Sequence, residues 1–184
     1  MNAKQGAALV ILLIVVALAA SVFLSASPAK VTYNEPASAV HASLGKTASD
    51  GTIALRLNSI SNASDPATSS TWIEFNNGSV LYGLSLTPPP ASRYLVANVT
   101  VTNVHNTQIP FDYGYFVLVA RDGTAYYANN AVCNTGCNAQ ALASRALNET
   151  FTSDLYVLFS VPSATQPVQI AYTGATPPIV MSST

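Results

Sequence analysis

Tyr94-Leu95-Val96-Ala97-Asn98-Val99-Thr100-Val101-Thr102 is the stretch of sequence that decides the fold. Apolar residues recur at every second position, and this period of two is typical of a β-strand with one buried face. One face of the predicted strand carries Leu95, Ala97, Val99 and Val101. The opposite face carries Tyr94, Val96, Asn98, Thr100 and Thr102. The pattern therefore predicts a long strand that packs one side against a core and turns the other outward.

The other predicted strands are shorter and are separated by turn signals. Ile53, Leu55, Leu57 and then Ile60 supply the apolar positions of one such strand. Asn76-Asn77-Gly78 and Asp122-Gly123 each separate two β-prone runs, which predicts hairpins because Asn and Gly accept positive φ. Further strands are predicted at residues 94–102, 113–120, 125–127, 154–161 and 168–172. This spacing predicts an all-β, antiparallel, immunoglobulin-like β-sandwich of about seven to nine strands.

An apolar run precedes the predicted strands. In residues 7–26, 18 of 20 side chains are hydrophobic and none is charged. A helix of 20 residues is about 30 Å long and matches the hydrocarbon core of a bilayer. Residues 1–26 are therefore predicted to form one transmembrane anchor or, since small residues follow the run, a cleaved signal helix. Residues 27–49, rich in Ala and Ser, are interpreted as a stalk, and residues 50–184 as the sandwich domain.

The chain has few charges for its length. Only 8% of its 184 residues are charged, with seven basic and eight acidic side chains. Low charge combined with 49% hydrophobic residues disfavours an intrinsically disordered chain. Nucleic-acid binding is disfavoured as well, because phosphate contacts need a clustered basic surface.

The sequence contains no pattern that indicates catalysis. Cys133 and Cys137, the only cysteines, are predicted to form a disulfide within one loop; free or intermolecular thiols are the alternative, and a metal site is least favoured. His41 and His105 are interpreted as surface residues because no catalytic partner is evident for either. No nucleophile or dinucleotide motif occurs. We therefore predict a protein that is not an enzyme and that uses no metal or cofactor.

Four N-x-S/T sequences are candidate glycosylation sites. About three are expected by chance in a chain with this content of Asn, Ser and Thr, so their placement matters more than their number. The candidate acceptors are Asn62, Asn77, Asn98 and Asn148. Asn98 falls on the predicted outward face of its strand, where a glycan could be accommodated.

Aromatic residues cluster around the second predicted hairpin. Tyrosine is frequent in binding hot spots, and it also favours strands, so a contact surface and a purely structural placement both remain open. The candidate contact residues are Phe111, Tyr113, Tyr115, Tyr126 and Tyr127.

Five blocks of sequence carry a resemblance when taken together: residues 55–60, 94–103, 115–126, 151–161 and 168–172, with Thr102-Asn103 opening a loop and Asp122-Gly123 forming a turn. Together they resemble the telokin-like family of exported, immunoglobulin-like domains. The resemblance implies a fold and a location in the cell envelope. It implies no chemistry.

We expect a membrane-anchored, non-enzymatic domain on the cell surface, held in the membrane by residues 7–26. Its partners would be other cell-surface proteins or copies of itself. The alternative is a subunit of an extracellular filament or type IV-like pilus, because Lys4-Gln5-Gly6-Ala7 is similar to the start of pilin-like proteins. In that case the N-terminal segment would be processed, and the protein would be secreted or assembled outside the membrane.

Overall fold

The computed structural model describes residues 30–62, 72–74, 80–82, 90–133, 146–149 and 151–184. Val31–Thr184 forms one compact unit. In chain order its strands are β1 (Val40–Ala42), β2 (Thr47–Ser49), β3 (Ile53–Asn62), β4 (Trp72–Glu74), β5 (Val80–Tyr82), β6 (Ser92–Asn103), β7 (Ile109–Pro110), β8 (Phe116–Ala120), β9 (Ala125–Tyr127), β10 (Asn130–Cys133), β11 (Ala146–Leu147), β12 (Thr152–Pro162), β13 (Pro167–Tyr172) and β14 (Ile179–Ser182).

Two five-stranded sheets form a β-sandwich. One sheet has the order β1-β14-β13-β8-β9, and the other has the order β10-β12-β6-β3-β2. The alternating stretch lies in β6, which is antiparallel to β12 from Thr152↔Thr102 to Pro162↔Ser92 and antiparallel to β3 on its other side. The predicted all-β sandwich architecture is confirmed.

The core lies between the sheets and takes one face of each strand. Leu95, Ala97, Val99 and Val101 are all at most 3% exposed and belong to the main apolar cluster, as predicted. Val96 was predicted to face outward but is only 1% exposed. Its cross-strand partner on that face is the fully buried Leu158, so two apolar side chains lie side by side there.

A β-bulge explains the irregular apolar spacing of β3. The pairing of β3 with β6 shifts between Leu57 and Ser59, which leaves Asn58 as the additional residue. Ile60 is thereby returned to the core side, where it packs against the main cluster. The Asn58 amide donates to Asn98 Oδ1 at 3.1 Å and to Thr100 Oγ1 at 2.9 Å.

The prediction of a stalk at residues 27–49 is wrong for its C-terminal part, which contains β1 and β2. β1 pairs in parallel with β14 and β2 pairs with β3, so residues before Asp50 belong to both sheets. Upstream, Val31 accepts a hydrogen bond from the backbone of Ala125 and Thr32 bridges Thr124. The chain then passes over the outer face of the β8-β13-β14 sheet, where Tyr33 and Ala39 pack against its apolar side chains. Residues 31–39 therefore act as a strap that covers an otherwise exposed apolar face.

The region before β8 differs from the predicted strand at 113–120. Tyr113–Tyr115 forms a 3-10 turn, and the strand begins at Phe116. The Asp112 side chain caps this turn by accepting a hydrogen bond from Gly114 N at 2.8 Å. A short polar side chain at this position competes with strand pairing. The sequence pattern also failed to predict β14, which completes the sheet after β13.

Both predicted hairpins are present as strand pairs. β4 pairs antiparallel with β5, and β8 pairs antiparallel with β9 across a turn in which Gly123 has φ of 79°. In the part of the chain that the structure describes, no helix has the length and apolar character needed to span a bilayer. The predicted anchor at residues 7–26 lies outside that part, and so does Cys137, so the anchor and the disulfide both stay predictions.

Candidate functional site

An aromatic groove of about 480 Å³ opens at the end of the sandwich where β8 begins and β13 ends. Three rings build it: Tyr172 is stacked on Phe111 at a centroid distance of 5.5 Å and meets Tyr115 edge-on at 6.4 Å. Tyr115 is the exposed ring, with 52% of its surface open to solvent. The lining residues of this aromatic groove are Pro110, Phe111, Asp112, Tyr115, Tyr172, Thr173 and Gly174.

Hydrogen bonds fix the backbone that carries the exposed ring. Thr173 donates to the carbonyl of Tyr115 from its backbone N–H at 3.0 Å and from its hydroxyl at 3.1 Å. Gly174 is required by close packing, because a Cβ there would lie 2.8 Å from Tyr115 Cδ2 and 2.8 Å from the Tyr172 ring. The groove is therefore a surface fixed by specific contacts, and one acidic residue, Asp112, lines it. Such a surface can bind an apolar or cationic group through ring contacts and the carboxylate.

Burial raises the pKa of the Tyr172 phenol, and this effect outweighs the opposing backbone hydrogen bond with Asp112. The unfolded chain loses the phenol proton near the ordinary tyrosine pKa of 10.0, whereas the folded chain keeps it to higher pH. The stability from this group is therefore complete below about pH 10 and declines as the pH rises above it.

We expect the free energy of unfolding of Tyr172→Phe to fall less steeply with rising pH than that of the unchanged chain between about pH 9.5 and 11, as measured by unfolding followed by circular dichroism. An equally steep fall in the two proteins would contradict the raised pKa of Tyr172.

A second groove of about 560 Å³ lies at the opposite end of β8 and β13. Arg121 donates its backbone N–H to the Gln166 carbonyl at 2.9 Å and so joins the β8–β9 turn to the loop after β12. Arg93 reaches the same loop, donating to the Thr165 carbonyl at 2.6 Å. The lining residues of this second groove, with one basic and one acidic side chain among them, are Ala120, Arg121, Asp122, Tyr126, Pro162, Ala164, Thr165 and Gln166.

The structure separates the five predicted contact residues. Phe111 is only 2% exposed, so it supports the aromatic groove from below and does not present a surface of its own. Tyr113 and Tyr126 are half-buried against the main core, and Tyr126 lines the second groove. Tyr115 and Tyr127 are exposed; Tyr115 lines the aromatic groove, whereas Tyr127 lines neither of the two grooves described. The predicted cluster is thus divided between the two ends and the β9 edge.

Five of the seven groove residues are not among the predicted contact residues. The sequence pattern predicts only a strand at Tyr172, and it predicts no contact role for Pro110, Asp112, Thr173 and Gly174. They come from two segments about 60 positions apart in the chain, which meet only because β13 pairs with β8. The signal that could have found them is the Asp-Tyr-Gly-Tyr sequence at 112–115, in which Asp can cap a turn.

Three of the four candidate glycosylation sites are described. Asn62 and Asn148 are exposed, and their side-chain oxygens accept hydrogen bonds from Arg93 at 2.8 Å and Gln108 at 3.4 Å. Asn98 is half-buried in the central strand β6. Asn77 lies outside the described residues. Glycosylation stays a prediction at all four positions.

The sequences Asp50-Gly51-Thr52 and Asp122-Gly123-Thr124 form turns. Asp50 Oδ1 accepts from Thr52 N and Ile53 N at 2.8 Å each, and Asp122 Oδ1 accepts from Thr124 N at 3.1 Å. Across the described ranges, no group of three or more His, Cys, Asp or Glu side chains is placed to hold a metal ion. His41, placed in the predicted stalk, lies in β1 with its Nε2 atom 3.2 Å from Glu35 Oε1.

Comparison with known proteins identifies the fold and no family. No protein-family model matches the chain, and no curated protein does. The structure is similar to that of MPT63, a secreted protein of Mycobacterium tuberculosis, with a TM-score of 0.52 and 11% identity over 80% of this chain and 99% of that one. A second similar structure is an uncharacterized β-sandwich protein of Clostridium difficile, with a TM-score of 0.48 and 11% identity over 84% and 100% of the two chains.

Proposed function

We propose that this chain is a membrane-anchored, non-enzymatic domain of the telokin-like, immunoglobulin-like type, exposed outside the cytoplasm. It would bind another component of the cell envelope through the aromatic groove. The apolar run at residues 7–26 supports anchoring, and the likeness of the sandwich to a secreted protein is compatible with export. The low charge of the chain suits a surface that packs among other proteins.

The exposure of Tyr115 is the observation that carries the proposal. The ring is 52% exposed, and two hydrogen bonds from Thr173 fix the backbone carbonyl of the residue that carries it. Because tyrosine has only two side-chain torsions, the ring is available to a partner at little entropic cost.

We expect Tyr115→Ala to weaken binding of the full chain, in detergent, to envelope fractions from cells that lack the protein. The expected loss is about tenfold or more, the usual effect of removing a hot-spot tyrosine. Tyr127→Ala is the matched control, because Tyr127 is 57% exposed but does not line the groove. Co-sedimentation with the envelope fraction measures both variants. Equal loss for the two variants, or no loss at position 115, would exclude the groove as the binding surface.

The alternative function is a subunit of an extracellular filament or type IV-like pilus. The Lys4-Gln5-Gly6-Ala7 sequence favours it, because cleavage after Gly6 would release an apolar helix for assembly. Intact mass of the protein purified from its own cells separates the two functions. Mass beginning at Met1 supports an anchor, whereas processing after Gly6 or near Ala26, with filaments that vanish when the gene is deleted, supports assembly.

A further inference from the structure

The strap at residues 31–39 covers an apolar face with few buried contacts of its own. Tyr33 and Ala39 are half-buried and pack against that face, whereas the other seven residues of the strap are exposed. The side chains beneath the strap are buried and form one cluster: Val117, Val119, Ala125, Ala171 and Val180. The strap is therefore a thin layer over a closed apolar surface.

Backbone hydrogen bonds hold the strap to the sheet at its beginning. The Val31 carbonyl accepts from Ala125 N–H at 2.7 Å, and Tyr33 N–H donates to the Gly123 carbonyl at 3.1 Å. Across the described ranges, no backbone hydrogen bond joins residues 34–39 to the sheet. Most of the strap therefore depends on side chains for its attachment.

Glu35 supplies the polar side-chain contacts of the strap. Its Oε2 atom accepts from Gln169 Nε2 at 3.2 Å, and its Oε1 atom lies 3.2 Å from His41 Nε2. His41 is 57% exposed, so water competes for both partners of this pair. Exposed contacts of this kind contribute little to stability.

The Tyr33 hydroxyl opposes closure of the strap. It is buried, and it has no hydrogen-bond partner among the described residues. Burial also raises the pKa of the phenol, with the charge of Glu35 as the smaller cause. A buried hydroxyl without a partner is destabilising, because water would hydrogen-bond it once the strap is released. The ring that packs the strap against the sheet thus carries a group that favours the open position.

We propose that the strap is a releasable cover, in which residues 31–39 leave the sheet as a unit while both sheets stay folded. Local opening of this kind occurs where buried apolar contacts are few and backbone hydrogen bonds are exposed. Release uncovers the apolar side chains of β8, β13 and β14, a type of surface that monomeric proteins rarely leave open. The strap therefore controls whether this face is accessible. This device is independent of the aromatic groove and of its partner.

Two backbone N–H groups of one hairpin distinguish release of the strap from unfolding of the sandwich. Ala125 N–H donates to Val31 in the strap, whereas Ala128 N–H donates to the Phe116 carbonyl at 3.0 Å, at the other end of the β8–β9 pair. Amide hydrogen exchange of the full chain in detergent, followed by NMR at single residues, compares the two. We expect Ala125 to exchange about tenfold faster than Ala128 or more, after correction for intrinsic rates. Burial alone predicts the opposite order, since Ala125 is 7% exposed and Ala128 is half-buried. Equal or greater protection at Ala125 would overturn the proposal.

Two substitutions in the strap are expected to change this exchange in opposite directions. Tyr33→Phe keeps the ring but removes the unpaired hydroxyl, so it should slow exchange at Ala125 about fivefold or more. Glu35→Ala removes the contacts to β1 and β13 and should speed exchange at Ala125 about threefold. Tyr127→Phe is the matched control, because that hydroxyl belongs to an exposed side chain outside the strap. Exchange at Ala128 should stay the same in all three variants. No slowing at Ala125 in Tyr33→Phe, or an equal change at Ala128, would overturn the proposal.

Discussion

Asn103→Leu is expected to lower the free energy of unfolding by about 3 kcal/mol, although the two side chains have the same number of non-hydrogen atoms and the same branching. Asn103 is 5% exposed, and its amide nitrogen donates to the carbonyls of Thr107 at 2.8 Å, Leu147 at 3.2 Å and Asn148 at 2.8 Å. Its oxygen accepts from His105 N at 2.9 Å. Leucine would leave the carbonyl of Leu147 buried without this donor and would remove the partner of the part-buried backbone groups of Thr107, Asn148 and His105. Urea unfolding of the full chain, followed by circular dichroism, measures the loss.

Two further variants sharpen this test. Asn103→Asp keeps the acceptor for His105 but removes the donor and sets a carboxylate against three carbonyls, so its destabilisation should diminish on acidification. Asn58→Leu is the matched control, because Asn58 is half-buried and bonds side chains of β6 that water can reach. We expect it to cost under about 1 kcal/mol. A loss at Asn103 as small as that at Asn58 would show that the loops do not depend on this amide.

Phe116→Ala is expected to destabilise the chain by about 3–5 kcal/mol, the usual result of removing a fully buried aromatic ring. Phe116 is 0% exposed, and its ring centroid lies 4.8 Å from that of Tyr172 and 6.2 Å from that of Phe111. The cavity would open directly beneath the aromatic groove. The urea midpoint measures the stability, and Tyr115→Ala serves as the control because its ring is half exposed. A Phe116→Ala loss below about 1.5 kcal/mol would contradict the packing described for this end.

The sequence predicts those parts of the fold that depend on residues close to one another in the chain. Alternation of Leu95, Ala97, Val99 and Val101 predicted the burial of β6, and Asp122-Gly123 predicted the hairpin, because strand faces and tight turns depend on residues near in sequence. The bulge at Asn58 is also visible in the sequence, because the apolar positions 53, 55 and 57 are followed by position 60 and not by position 59. Thr102-Asn103 was noted only as a loop opening, and its amide is the polar centre of that loop.

What the sequence did not predict depends on contacts between distant segments. Residues 30–49 have weak periodicity, and their strands form only because β14 and β3 offer free edges. Val96 is buried through its neighbour Leu158, 62 positions away. The aromatic groove has the same origin: Tyr115 and Tyr172 come from different segments, and Gly174 is explained only by the rings that press against it. Pattern reasoning identified tyrosines as candidates but could not place them at one end.

Site-specific photo-crosslinking in intact cells is the most direct test of the central claim that the aromatic groove is an occupied surface outside the membrane. A photoreactive phenylalanine analogue would replace Tyr115 in one full-length variant and Tyr127 in another, since both side chains are more than half exposed. The account predicts a discrete adduct of higher mass from position 115 and none from position 127. No adduct at position 115, or equal adducts at both, would contradict it.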